Sequence, residues 1–232
     1  MERDLSAARA SLDKTPTNPD SIIWVARRLG YLGRFRESIA TYTRGIEQHP
    51  DNPWMYRHRG HRYISVRELD NAIADLEKAT QLVAGKPDEV EPDGQPNAQN
   101  RPIGTLHSNI AYHLGLAYYL KGDFAKAIPI YEKELANANN DDRRVSTGHW
   151  LYMSLRRSGK DAEAKKVLTQ FRKDMDIVEN QSYHNLMLLY RGDLPVDSVL
   201  APNAPITNSG AGAVAYGVGN WHQYNGRQAE AE

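Results

Sequence analysis

The chain has no cysteine, no surplus of either charge and no apolar run long enough to cross a bilayer. Each lack removes a class of function. Without Cys there are no disulfides, no thiolate zinc sites and no cysteine nucleophile. Lys+Arg and Asp+Glu balance at 29 each, so no overall charge draws the 232 residues to nucleic acid or to a membrane surface. The longest apolar stretches, such as 110–120, are interrupted by His or Gly and fall short of a membrane span. Met1 is followed by Glu2, Arg3 and Asp4, so no signal peptide opens the sequence as given, and the compartment stays undetermined. A P-loop, a Ser-centred nucleophile elbow and a paired His-Glu zinc motif are also missing. Residues 210–215 loosely match a dinucleotide fingerprint, but Pro-, Asn- and Ser-rich sequence precedes them where that motif needs a strand. They read as a flexible entry to a helix.

What is present is a recurring turn: a Gly or its stand-in, a polar residue, then usually an aromatic or Leu. It falls at Gly33, Arg67, Gly122, Gly159, Gly192 and Gly226, at spacings of 34, 55, 37, 33 and 34. A period near 34 marks an array of like units. Between turns the pattern is helical. Ala111, Leu114, Gly115 and Tyr118 fall at i, i+3, i+4 and i+7, Gly122-Asp123 breaks the run, and Phe124, Ala127, Ile128, Tyr131 and Leu135 make a second apolar face. Such a hairpin cannot bury both faces alone; stacking on the next one completes the core.

Four repeats carry the strongest pattern. The first has Ala26, Leu29, Gly33, Phe35, Ile39, Tyr42 and Pro50. The second has Gly60, Tyr63, Leu69, Ala72, Ile73, Leu76 and Ala79. The third has Leu114, Gly115, Tyr118, Gly122, Phe124 and Ala127, and the fourth Leu151, Leu155, Gly159, Ala164, Leu168 and Phe171. These residues resemble the tetratricopeptide repeat. The resemblance implies an all-α, right-handed α-solenoid of about six helix-turn-helix repeats. Small residues at paired positions (Ala26 with Ser38, Gly60 with Ala72, Gly115 with Ala127) are expected to let partner helices approach closely. The fourth repeat keeps Ala164 but sets bulky Tyr152 opposite it.

The expected organisation is a single array: a half repeat over 1–18, repeats at 19–52 and 53–84, an inserted loop at 85–105, repeats at 108–141 and 145–177, a degenerate repeat at 178–211 and a truncated one at 212–232. Pro195 and the Pro-rich stretch 201–205 leave the degenerate repeat a short or distorted second helix. Neither end carries a polar capping helix, so the array is expected to be an excerpt of a longer protein. The 85–105 insertion is rich in Pro, Gly, Asn and Asp with little to bury, and is expected to be a solvent-exposed excursion, either functional or disordered.

In the resembled family, the non-core face of the first helices lines a concave groove. In this sequence that face holds Ile23, Trp24 and Arg27; Trp54, Arg57, His58 and His61; Tyr112, His113, Leu116 and Tyr119; and His149, Trp150, Met153, Arg156 and Arg157. A surface rich in Trp, Tyr, His and Arg has the composition of interaction hot spots. The bland alternative, that single rings pack between neighbouring first helices, is at least as good for any one residue. His58, His61 and His113 lack an identifiable acidic orienting partner, so no metal is assigned to them. The Lys and Asn of the family's clamp for acidic chaperone termini have no counterpart beside Arg27, Arg57 and Arg156, so that function is not carried over. The leading expectation is a non-enzymatic scaffold without cofactor that binds an extended peptide or partner protein along Trp24, Arg27, Trp54, Arg57, His58, His61, Tyr112, His113, Tyr119, His149, Trp150 and Arg156. Alternatives are the regulatory or substrate-recruiting part of a larger enzyme, and a small-molecule or metal-binding groove.

Overall fold

In the computed structural model, which describes residues 1–200 and 209–231, every regular element is helical. The helices are α1 (Glu2–Lys14), α2 (Pro19–Tyr31), α3 (Phe35–Gln48), α4 (Pro53–Ser65), α5 (Leu69–Val83), α6 (Leu106–Lys121), α7 (Phe124–Asn137), α8 (Asp141–Arg157), α9 (Asp161–Leu168), α10 (Gln181–Arg191), α11 (Val196–Val199), α12 (Ser209–Tyr224) and α13 (Gln228–Ala231). The chain divides into two compact units, one of residues 1–95 and 104–122, the other of 96–103 and 123–232.

Local chemistry sets the helix ends. Asn18 and Asn52 cap α2 and α4: the Asn18 carbonyl accepts from the Ser21 N–H at 2.9 Å, and that of Asn52 from Trp54 at 3.0 Å. In both helices Pro follows as the first residue, where its missing N–H costs nothing. Thr105 and Ser108 cap α6 reciprocally. The recurring turns all have positive φ: 76° at Gly33, 83° at Gly122, 69° at Gly159, 85° at Gly192 and 73° at Gly226. Arg67 takes the same left-handed conformation at φ 61°.

In the first unit, α1 to α6 pack in chain order, with α2 also beside α4 and α4 beside α6. Ile22, Ile23, Ala26, Tyr42 and Met55 join α2, α3 and α4, while Ala79, Val83, Leu106 and Ile110 join α5 to α6. Two of the paired small positions, both in this unit, do what their size permits. A Cβ on Gly60 would lie 2.7 Å from Leu76 Cγ and 3.3 Å from the Ala72 carbonyl, and the Ser38 hydroxyl donates to the Ala26 carbonyl at 2.7 Å. Burying a side chain such as Leu76 contributes about 1.5–3 kcal/mol.

The second unit stacks α7 on α8, α8 on α9 and α10, and α10 on α12. Helix α8 starts four residues before the expected Val145, because Asn140 caps it by accepting from the Arg143 N–H at 2.8 Å. Tyr152 is buried and stacks on Tyr190 of α10, centroids 4.5 Å apart. The close approach in this hairpin belongs to Gly148, where a Cβ would meet Phe171 Cζ at 2.2 Å. Asp142, fully buried, accepts from the N–H groups of Val178 (2.9 Å), Glu179 (2.8 Å) and Asn180 (2.8 Å), which docks the entry to α10. Of the degenerate repeat's second half, α11 is described and 201–205 lie outside the described residues. Residues 210–215 fall inside α12, not in a strand-to-helix loop. Among the described residues no helix is long and apolar enough to cross a membrane.

Candidate partner-binding face

In the first unit, some of the predicted residues of α2, α4 and α6 come together and others do not. Between α2 and α4 lies a cavity of about 200 Å³ lined by Arg27, Tyr31, Tyr42, Arg57, His58, His61, Arg62 and, from the following loop, Glu91 and Asp93. Arg57 donates to His58 Nδ1 at 2.8 Å, and the His58 ring stacks between Tyr42 (5.9 Å) and Trp54 (6.3 Å). His61 lies against His113, centroids 4.1 Å apart, and His113 Nδ1 donates to the Asn109 carbonyl at 2.7 Å. Tyr112 meets His113 edge-on. Trp24, half-buried, lines a separate cleft between α1 and α2, with the Arg27 guanidinium 4.6 Å and that of Arg28 5.1 Å from its ring. Trp54 instead joins the hydrophobic clusters of α2–α4 and α5–α6, and Tyr119 is buried at 3% exposure.

The 85–105 segment is not a free excursion. It remains largely exposed, but its first half folds onto this face. Val90 bridges to Thr105, and the Glu91 N–H donates to the Gly104 carbonyl at 3.0 Å. Those bonds aim the Glu91 carboxylate at Arg57 Nε (3.0 Å), Asn109 Nδ2 (2.7 Å) and Arg27 Nη2 (3.8 Å). Arg27 also donates to the Pro92 carbonyl and Arg28 to that of Gly94, each at 2.8 Å. Gly94 is buried against Tyr31, whose hydroxyl would sit 2.1 Å from an added Cβ. Composition marked the loop as polar, but a single sequence does not say which of its acids finds a buried arginine.

Burial and cation crowding dominate the electrostatics. The imidazoles of His58, His61 and His113 are held well below their ordinary range, first by desolvation and then by neighbouring charges, among them Arg57 and Arg62. They are neutral donors and acceptors in a cationic pocket. Among the described residues no group of three or more His, Asp or Glu is placed to hold a metal ion.

In the second unit the predicted residues mostly meet one another. His149 is fully buried against Tyr183 (4.9 Å) and Tyr190 (5.9 Å) of α10, and burial pushes its pKa down to about 3. Trp150 is 8% exposed and lies 6.5 Å from both Tyr183 and Tyr216. Arg156 donates to the Tyr152 hydroxyl at 2.9 Å and the Tyr224 carbonyl at 2.6 Å, and pairs with Asp161 at 2.8 Å. Neighbouring first helices thus occupy much of this surface.

The family model for the tetratricopeptide repeat matches residues 105–142. No curated protein matches the sequence significantly. Among solved structures, YrrB, described as a tetratricopeptide-repeat protein with an unusual peptide-binding site, is similar at 15% identity and a TM-score of 0.57, over 97% of this chain and 87% of that one. A tetratricopeptide-repeat protein from Parabacteroides merdae matches at 14% identity and a TM-score of 0.56, over 98% of this chain and 81% of its own. A thermophilic one from Thermus thermophilus matches at 19% and 0.54, over 80% and 89%. At these identities the likeness is one of fold. The repeat matched at residues 105–142 is a tetratricopeptide repeat, and the chain shares the helical-repeat fold of these tetratricopeptide-repeat proteins.

Proposed function

We propose that the protein is a non-enzymatic scaffold that binds an extended peptide, or an extended segment of a partner protein, on the α2–α4–α6 face. One observation carries this reading: the face already grips non-helical backbone, with Arg27 and Arg28 donating to the carbonyls of Pro92 and Gly94. Main-chain recognition of that kind suits an extended chain of varied sequence, while the adjoining cavity selects side chains. The peptide-binding site named for YrrB is consistent with it. Trp24 and Tyr112, both half-buried, are the proposed aromatic anchors on either side of the cavity that Arg27, Arg57, His58 and His61 line, with His113 against His61.

A random-peptide display library selected on the purified chain tests the reading. Selected peptides should lose upwards of about 1 kcal/mol of binding on Trp24→Ala or Tyr112→Ala, with the melting temperature unchanged. Peptides indifferent to both substitutions and to Arg27→Ala would reject the face.

A further inference from the structure

The cations of the α2–α4 cavity outnumber the anions. Arg27, Arg57 and Arg62 line it, against Glu91 and Asp93. Glu91 is the acid the structure pairs with Arg27 and Arg57, and it leaves the site incompletely satisfied. Its contact to Arg27 is long at 3.8 Å, and Arg57 Nε, though 3.0 Å from the carboxylate, is not aligned to hydrogen-bond to it. The buried Nε2 of His58 has no hydrogen-bond partner. Donors of this kind, nine-tenths buried and under-used, favour a ligand that presents an anion in better register.

The loop shows what such a ligand looks like. Along Glu91-Pro92-Asp93-Gly94 the face reads a carboxylate by Arg57 and Asn109, then a carbonyl by Arg27. Two residues on it reads a second carbonyl by Arg28, beside a position where only Gly fits against Tyr31. We propose that the Glu91 side chain and residues 92–94 are a resident ligand of this face, and that an acidic extended peptide of the same chemistry binds by displacing them. The proposal rests on the peptide-binding reading above and adds both the class of partner and its control.

The segment is tied at its base by the Val90–Thr105 bridge and the bond from Glu91 to Gly104, so displacement lifts a tip and does not unfold a helix. A short tether holds the tip at an effective concentration on the order of millimolar. Weak acidic peptides are thereby excluded, and only a partner that improves on the 3.8 Å and misaligned contacts gains the face.

The probe is a labelled synthetic peptide, Asp-Glu-Val-Glu-Pro-Asp-Gly-Gln, beside a counterpart with its acids replaced by Gln and Asn. Fluorescence anisotropy should show the acidic peptide binding Glu91→Gln at least about tenfold tighter than the unaltered chain, because the tethered competitor is weakened. Arg57→Ala in the Glu91→Gln background should remove that binding. Equal affinity for the two proteins, or none for either, overturns the proposal. Because Glu91→Gln leaves arginines unpaired and can destabilise the unit, a second measurement uses the unaltered chain. Saturating acidic peptide should raise hydrogen exchange across residues 91–95, and unchanged exchange overturns displacement. If the neutral peptide binds equally well and depends on Trp24 and Tyr112, acidic recognition fails while peptide binding on the face stands. Library binders indifferent to the face would remove the underlying reading itself.

Discussion

Arg59 and Asp75 form a two-pronged bond between α4 and α5, with Nε 2.7 Å from Oδ2 and Nη2 2.8 Å from Oδ1. The carboxylate is 6% exposed, and Thr43 of α3 accepts a further Arg59 bond at 3.0 Å, so the guanidinium ties three consecutive helices. Removing one member strands the other. Asp75→Ala is expected to cost about 3–5 kcal/mol in urea unfolding. Replacing Arg59 and Asp75 together by apolar residues should cost much less than that single change. A loss below about 1 kcal/mol for Asp75→Ala would show that the pair contributes nothing to the stack.

Arg67 occupies the turn position that Gly fills in every other instance, at φ 61°. An L residue there carries a left-handed penalty of about 1–2 kcal/mol, partly offset because Gly loses more entropy on folding. Arg67→Gly is therefore expected to stabilise the chain by about 0.5–1 kcal/mol, read as a higher urea midpoint. A lower midpoint would mean that the Arg67 side chain makes a compensating contact.

Four depressed imidazoles set the response to acid. His58, His61 and His113 are lowered by burial and by nearby charges that include Arg57 and Arg62, while burial alone takes His149 down to about 3. Below about pH 6.5 the unfolded chain takes up protons that the folded chain refuses. Stability is thus full above that pH and falls as the pH drops, by up to about 1.4 kcal/mol per unit for each site. Urea midpoints should decline from about pH 7.5 to about pH 5.5, and His149→Gln should flatten the decline. Equal midpoints at both pH values would contradict the buried neutral state.

The repeats were legible because their signals are local. A turn that needs positive φ selects Gly, and a helix stacked on both sides selects small residues at fixed offsets, so Gly60 with Ala72 and the turns at Gly122 and Gly192 follow from spacing. The start of α8 was misplaced because the apolar pattern begins later than the Asn140 cap. Face residues were harder to read. Trp54, Tyr119 and His149 share the period of Trp24 and Tyr112, yet Trp54 and His149 pack against neighbouring helices and Tyr119 is buried, and helical period does not separate a groove from a helix–helix seam. Glu91 and Asp142 were missed outright. Their partners lie 34 to 38 positions away, in Arg57 for one and at 178–180 for the other, beyond the reach of any local pattern. The available signal was the run Asp88-Glu89-Val90-Glu91-Pro92-Asp93, acid-rich and set between α5 and the groove helix α6.

The contact from Arg27 to Pro92 spans 65 positions, whereas the hairpins around it are built from neighbours in sequence. Chain entropy favours early formation of the near contacts, so the hairpins are expected to assemble first and the segment to settle after α2, α4 and α6 are side by side. A contact made that late lies on the native side of the folding barrier. Cutting it therefore leaves the refolding rate almost untouched and hastens unfolding, which makes the acidic segment a brake on the opening of the unit that it closes.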